Sequence, residues 1–231
     1  MREIILDTET TGLDPATGDR IVEIGCIEIF NSIPTGQIFH AYIDPQRDMP
    51  EGAFKVHGLS REFLTGKPVF EAIVDDFLAF TSDAKLVAHN AEFDIKFLNF
   101  ELGRAARPLI EPHRVVDTLA LARRRHPGAS NSLDALCQRY RIDNSRRTKH
   151  GALLDAEILA EVYAELIGGR QSALILETER AVFIQQSVTI RIARETPLAP
   201  TITPEELAAH ASFIAGLGGG ALWNAYRYEE A

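Results

Sequence analysis

Apolar and polar positions change period several times along the chain, and each change marks an element. Ile4 to Leu6 is a short unbroken apolar run that stops at Asp7-Thr8-Glu9-Thr10-Thr11-Gly12, the pattern of a buried strand leaving the core at a turn. Arg20 to Phe30 is dense in β-branched and apolar residues and predicts a second strand, and Gln37 to Ile43 predicts a third. A short Pro- and Gly-containing link between them predicts an antiparallel meander. From Pro50 the spacing turns helical, over Glu51 to Val56, Arg61 to Leu64 and Phe70 to Phe80, with His57-Gly58 as a C-terminal stop for the first.

Lys85 to Ala88 is strand-like and runs into His89-Asn90, after which Phe93, Ile95, Phe97, Leu98, Phe100 and Leu102 give the apolar positions of a helix over Ala91 to Gly103. Asp94 falls one turn into that helix. Arg114 to Asp117 predicts another strand, with helices over Thr118 to Arg125 and Ser132 to Arg139. Beyond Gly151 the residues Leu153, Leu154, Ile158, Leu159, Val162, Leu166 and Ile167 recur at three- and four-residue spacing, the stripe of an amphipathic helix. Strand-then-helix alternation in this half adds parallel strands to the meander. The expected class is α/β, a mixed five-stranded sheet flanked by helices.

The texture changes again past Gly168-Gly169. Gln171 to Leu176 is a short apolar peptide, Ala181 to Ile192 is strand-like, and Pro197, Pro200 and Pro204 mark a linker. Thr203-Pro204-Glu205-Glu206 predicts an N-cap, a first-turn proline and two acids matched to the helix dipole, opening a helix to about Leu217. An aromatic cluster, Ala221 to Tyr226, ends the chain. So short a segment forms no core of its own and either packs back or docks on a partner. The chain thus divides into a domain over residues 1–170, a linker over 171–200 and a terminal segment over 201–231.

Composition narrows the classes. At 231 residues, 45% hydrophobic and 25% charged, the chain holds one sizeable soluble domain and an appendage. A formal charge of −9 argues against holding nucleic acid by bulk electrostatics. Cys26 and Cys137 are isolated, a pattern that suggests neither a zinc knuckle nor a disulfide framework and fits a reducing cytosol. The N-terminus turns acidic after three apolar residues, too short for a signal-peptide core, and no apolar run approaches the roughly 18 residues of a membrane span.

Two stretches then bear candidate chemistry. On a strand, residues two apart share a face, so Asp7 and Glu9 present two carboxylates side by side, an arrangement that repels itself unless a cation intervenes. The same spacing is also a common surface pattern. In Thr148 to Asp155, His150 stands before the last predicted helix and Asp155 in its early turns, where the helix dipole favours a carboxylate. Basic residues gather at Arg123-Arg124-Arg125 and from Arg139 and Arg141 through Arg146, Arg147 and Lys149. They form either a solvated loop face or a positive rim suited to a polyanion.

Three motifs in order, Asp7-Thr8-Glu9-Thr10-Thr11-Gly12, His89-Asn90-Ala91-Glu92-Phe93-Asp94 and His150 followed by Asp155, resemble the DEDD superfamily of 3′ to 5′ exonucleases, in its DEDDh branch. Gln138 to Gly169, with Ile142-Asp143-Asn144-Ser145, Arg147-Thr148 and His150 through Ala156, is more specifically similar to the epsilon, proofreading subunits of bacterial DNA polymerase III. The resemblance covers residues 2 to 170 and, more loosely, the tail. It implies a ribonuclease H-like fold. It also implies that Asp7, Glu9, Asp94 and Asp155 hold two Mg2+ or Mn2+ ions, a metal choice that hard oxygen ligands favour over zinc. His150 is implied as the general base, a role its near-neutral ordinary pKa suits.

The same resemblance implies a single-stranded 3′ end of DNA as substrate, touched by Thr10, Thr11, His57 and Asn90, with His89 structural. Relatives can carry a glutamate before the Ala-Phe pair where this chain has Gly52, with Glu51 one place earlier. Gln171, Leu174 and Leu176 are similar to the peptides that bind the bacterial sliding clamp. Residues 201–231 resemble the part that anchors to the polymerase alpha subunit, and a small theta-like subunit is a further implied partner, all in the cytoplasm at the replisome. Two other readings remain open at this point: a free-standing exonuclease on RNA or short oligonucleotides, and a non-catalytic scaffold subunit.

Overall fold

The computed structural model describes residues 1–147, 149–168 and 202–218. These fall into two units, one holding residues 1–168 and the other residues 202–218, and each is taken by itself. In the first, five strands are ordered β3-β2-β1-β4-β5, with β1 (Arg2–Thr10), β2 (Ile21–Phe30), β3 (Ile33–Tyr42), β4 (Lys85–Ala88) and β5 (Val115–Asp117). β1 runs antiparallel to β2 and parallel to β4, and β4 is parallel to β5. This is the expected mixed sheet of antiparallel meander and parallel additions.

β1 is central and covered on both faces, which explains an unbroken apolar run where an alternating one would mark a half-exposed strand. Ile4 and Leu6 point into a core with α3 (Phe70–Thr81) and α4 (Ala91–Arg104), whose Phe70, Phe77, Phe97 and Leu102 are fully buried. Ile5 points the other way, with Ile27, Ile29 and Val87, into a second core. Leu136 and Cys137 of α6 (Leu133–Tyr140) and Leu159 and Val162 of α7 (Ala152–Leu166) close that core. α1 (Glu51–His57), α2 (Arg61–Leu64) and α5 (Thr118–Arg125) complete this unit. Both cysteines are free and buried, and act as small apolar residues.

β3 begins at Ile33, earlier than the sequence predicts, because the hairpin turns at Asn31-Ser32 and not at the proline. Both turn residues have positive φ, 50 and 67, the two-residue geometry that matches strand twist. Pro34 lies within β3, opposite Ile29 and next to a break in register. An edge strand tolerates it there, since its missing N–H removes no interior ladder bond.

One glycine sets the position of α7. Gly25 of β2 is directly opposite Asp7 of β1 and so shares its face of the sheet. A Cβ on Gly25 would overlap the backbone at Ala152 and Leu153, so α7 starts in contact with the sheet beside Asp7. That approach carries Asp155, three residues further on, to the same place. Gly25→Ala is expected to cost about 3 kcal/mol or more, as overpacking against backbone that cannot yield. A urea melt reading less than about 1 kcal/mol would show that α7 can lift away.

In the second unit, α8 (Pro204–Gly216) opens as the sequence predicts. The Thr203 hydroxyl accepts from the Glu206 N–H, and the Glu206 carboxylate accepts from the Thr203 N–H, a reciprocal cap. No residue of α8 is buried. No helix among the described residues is long and apolar enough to cross a membrane.

Candidate active site

β1 and β4 end at the same edge of the sheet, the place where open α/β folds collect ligands. Asp7 and Glu9 stand on the face of β1 that meets α7. Asp155 reaches them from the first turn of α7, its own N–H bonded to the Gly151 carbonyl at 2.8 Å. Asp94 arrives from the first turn of α4 on the other face and is held by the Thr8 hydroxyl, which donates to it at 2.7 Å. Thr8 thus points away from its two neighbours and anchors the third carboxylate. These groups line one cleft of about 290 Å³ together with His89, Asn90, Phe93, Ser132, Leu133, Asp134, Arg147 and His150.

His150 sits on the segment before α7 and is half-exposed. Its N–H donates to the Val56 carbonyl at 3.2 Å, and the neighbouring Lys149 ammonium lies 5.1 Å from the Phe54 ring centre, so the segment rests on the end of α1. Gly58 caps α1 in the left-handed conformation at φ 77, which favours glycine, and faces the flexible end of the Lys149 side chain. The ring of His150 comes within 3.2 Å of Asp155 through Nδ1.

Of the remaining sequence-derived candidates, Asn90 lines the cleft. It adopts the left-handed conformation at φ 65, its N–H donates to Asp117 at 3.1 Å, and it starts α4 through backbone geometry, with no side-chain cap. Asn is among the few residues that accept this conformation readily. Thr10, Thr11 and His57 do not line the cleft. The Thr10 hydroxyl donates to the Gly12 carbonyl at 2.6 Å. The Thr11 hydroxyl donates to Asp19 at 3.2 Å and accepts from the Arg20 N–H at 3.0 Å, which ties down the loop after β1. His57 is buried; its Nδ1 accepts from the Leu59 N–H, its Nε2 makes no hydrogen bond, and burial lowers its pKa against the opposing pull of the nearby Thr10 backbone. His89 lines the cleft and bonds the Thr118 hydroxyl at 2.9 Å. Gln171, Leu174 and Leu176 lie outside the described residues.

The sequence pattern hid the role of Arg147, which stands there among the rim residues and in the family-like stretch with no partner assigned. Its guanidinium turns inward with 9% of the side chain exposed and grips Asp155 by two bonds, Nε to Oδ1 at 2.6 Å and Nη2 to Oδ2 at 2.7 Å. A loop residue has no periodicity to reveal its facing, and only the pairing itself identifies it.

Burial of so many carboxylates has the expected electrostatic result. Burial first, then the charges of Asp94, Glu9 and Asp155, raises Asp7 well above the ordinary carboxylate range, with Arg147 opposing. Asp7 lies at the cleft floor, packed round with protein yet still partly open to the cleft. Glu9 is pushed up to about 8 by burial and by Asp155, Glu23 and Asp94. Asp94 is pushed up to about 7 by burial, against the lowering effect of its Thr8 hydrogen bond.

Such a cluster demands positive charge, and Glu9, His150 and Asp155 offer ligand atoms that all lie within 4.8 Å of one another. The cleft presents carboxylate oxygens and imidazole, with no thiol among its lining residues, so the donor set fits a hard divalent cation. A bigger open cavity of about 420 Å³, lined by His89, Arg123, Asn131 and Ser132 among others, adjoins the cleft through His89 and Ser132.

Similarity to known proteins agrees with this chemistry. The family described as Exonuclease (RNase_T) matches residues 4–163. The DNA polymerase III subunit epsilon of Rickettsia felis is 52% identical over 223 residues, 94% of this chain and 97% of that protein. Among solved structures, exonuclease X in complex with 5′ overhanging duplex DNA has a TM-score of 0.57 at 25% identity, covering 71% of this chain and 90% of that one. The nuclease domain of 3′hExo, a DEDDh family member bound to rAMP, has a TM-score of 0.61 at 16% identity, covering 72% and 92%, and supports the fold.

Proposed function

The chain belongs to the exonuclease family and, within it, to the bacterial DNA polymerase III epsilon subunits, and on that premise we propose that it removes mismatched 3′-terminal nucleotides as the proofreading subunit of a replicative polymerase. One observation carries the chemistry. Four carboxylates from β1, α4 and α7 converge on a single cleft with His150 at its side.

In this reading Asp7, Glu9, Asp94 and Asp155 hold two Mg2+ or Mn2+ ions. Such a pair, when bound, activates water and stabilises the leaving 3′-oxygen of an in-line displacement. His150 takes the proton of the attacking water, from a backbone seat on the α1 end that places its ring beside Asp155. Asn90, at the mouth between β4 and α4, meets the terminal nucleotide. Thr10, Thr11 and His57 act on the same end at one remove, by shaping the loop after β1 and the end of α1.

The tail links the nuclease to its assembly. α8 keeps Leu207, Phe213 and Leu217 exposed, an apolar set that suits docking on the polymerase alpha subunit by residues 201–231. Gln171, Leu174 and Leu176 serve as the clamp-binding peptide, a theta-like subunit is a third partner, and the site of action is the cytoplasm, at the replisome. A net charge of −9 fits a nuclease that its polymerase brings to DNA.

The test uses the purified full chain on a DNA duplex with one mispaired 3′ nucleotide. Mg2+- or Mn2+-dependent release of that nucleotide, faster than from a paired end, is expected. Deleting residues 171–231 should leave this release intact and abolish co-purification with the polymerase subunit. No co-purification of the full chain with the polymerase subunit, or preference for RNA over DNA, would favour a free-standing nuclease, and absence of release would leave a scaffold.

A further inference from the structure

Arg147 makes contacts that an ordinary surface ion pair does not. Its fork covers both oxygens of Asp155, the most deeply set carboxylate of α7, with 3% of that side chain exposed. The same nitrogen, Nη2, also lies 2.7 Å from His150 Nδ1. A guanidinium can only donate, so His150 Nδ1 accepts, and the ring proton is on Nε2. One Nη2 therefore stands bonded to two of the three groups whose ligand atoms cluster around a cation-sized space. It puts a positive charge on the same carboxylate that a divalent ion would use.

A second anchor lies on the outer side. Nη1 donates at 2.8 Å to Asp134, a half-exposed carboxylate at the start of α6 that also lines the cleft. Arg147 thus spans an inner acid and an outer one. Loss of the inner pair leaves the guanidinium still held at the rim.

We propose that Arg147 is a built-in counter-ion that occupies Asp155 and parks His150 until a divalent cation enters, so that loading of the cation and freeing of His150 are one event. The inference rests on the reading of Asp155 as a cation ligand and His150 as the base. While the guanidinium grips Asp155, a cation on the same carboxylate meets a fixed positive charge within a few ångströms, in a site too buried for water to screen it. While Nη2 holds Nδ1, the imidazole is pinned with its basic lone pair spent on Arg147. Entry of the cation displaces the fork toward Asp134 and returns that lone pair. Coupling of this kind is reciprocal: whatever Arg147 gains from Asp155, the cation must overcome.

Two measurements on the full chain decide it. Calorimetric titration with Mn2+ is expected to show tighter binding in Arg147→Met than in the unaltered chain, by about tenfold, the scale of one charge-assisted pair lost. Arg147→Lys, which keeps the charge but not the fork, should fall between them. Equal or weaker binding in Arg147→Met overturns the inference, because the arginine would then help to build the cation site. If the unaltered chain binds no Mn2+, or Asp155→Asn binds it as well, the underlying reading of Asp155 fails instead.

The second measurement needs no variant, so a poorly folding Arg147→Met cannot spoil it. Nitrogen-15 spectra of the unaltered chain should place the His150 proton on Nε2 without cation. Adding Mg2+ should shift the Arg147 Nε–H and the His150 Nδ1 together, at the same cation concentration. Signals that stay put, or that move at different concentrations, overturn the coupling.

Discussion

Asp7→Asn is expected to cut 3′-nucleotide release on the order of a thousandfold while making the cation-free protein more stable. The two effects have one cause. Asp7 lies opposite Gly25 on the sheet and faces Asp94, Glu9 and Asp155, and each of these raises its proton affinity after burial has done so. An amide of the same shape removes the charge that the cations need and the repulsion that the fold tolerates. Near pH 8, where burial and like charge act against the ionised form, the amide is expected to raise the Tm of the cation-free protein, at about 2–4 °C for each kcal/mol of relief in a domain of this size. Melting in EDTA beside a nuclease assay in Mg2+ reads both. A variant that keeps its activity would remove Asp7 from the chemistry. A variant that loses activity and also melts lower would mean that Asp7 is a structural group, not a strained ligand.

That opposition between function and fold also explains how far the sequence could be read. The apolar run of β1, the paired acids that end it and the stripe of α7 were legible because each is a periodic pattern with a forced consequence. The reciprocal cap at Thr203 and Glu206 was legible for the same reason, since the residue types at that spacing do one thing. The start of β3 was not: Pro34 reads as a break, and only its place on an edge strand makes it harmless. Arg147 was hidden more deeply, because nothing local tells an arginine on a loop whether it faces solvent or an acid eight residues on. The partner of a hydroxyl is equally hard to read from a motif, as Thr10 and Thr11 show. They sit inside the first motif, yet their hydroxyls are committed to Gly12, Asp19 and Arg20, and the side chain that reaches across to Asp94 is Thr8.

Affinity for divalent cation is expected to climb by about a thousandfold between pH 6 and pH 9, because cation ligands must shed their protons first. The window follows from the carboxylates themselves. Asp94 is pushed up to about 7 and Glu9 to about 8, so at pH 6 both are mostly protonated and at pH 9 both are mostly ionised. Asp7, raised in the same direction, steepens the climb. Stability of the cation-free protein must run the other way. Groups with folded-state pKa values above their unfolded ones hold extra protons in the folded chain, so their contribution is present in acid and is lost as pH rises through 7 to 8. Saturating Mg2+ should reverse that loss, since it binds only the folded state. Titration calorimetry in two buffers of different ionisation heat would count the protons released on binding, with more than one expected at pH 7. A flat affinity from pH 6 to pH 9, with no protons released, would mean that the carboxylates are already ionised in the empty cleft. Arg147 alone would then have to hold four negative charges, a burden that one guanidinium bonded to Asp155 and Asp134 is poorly placed to carry.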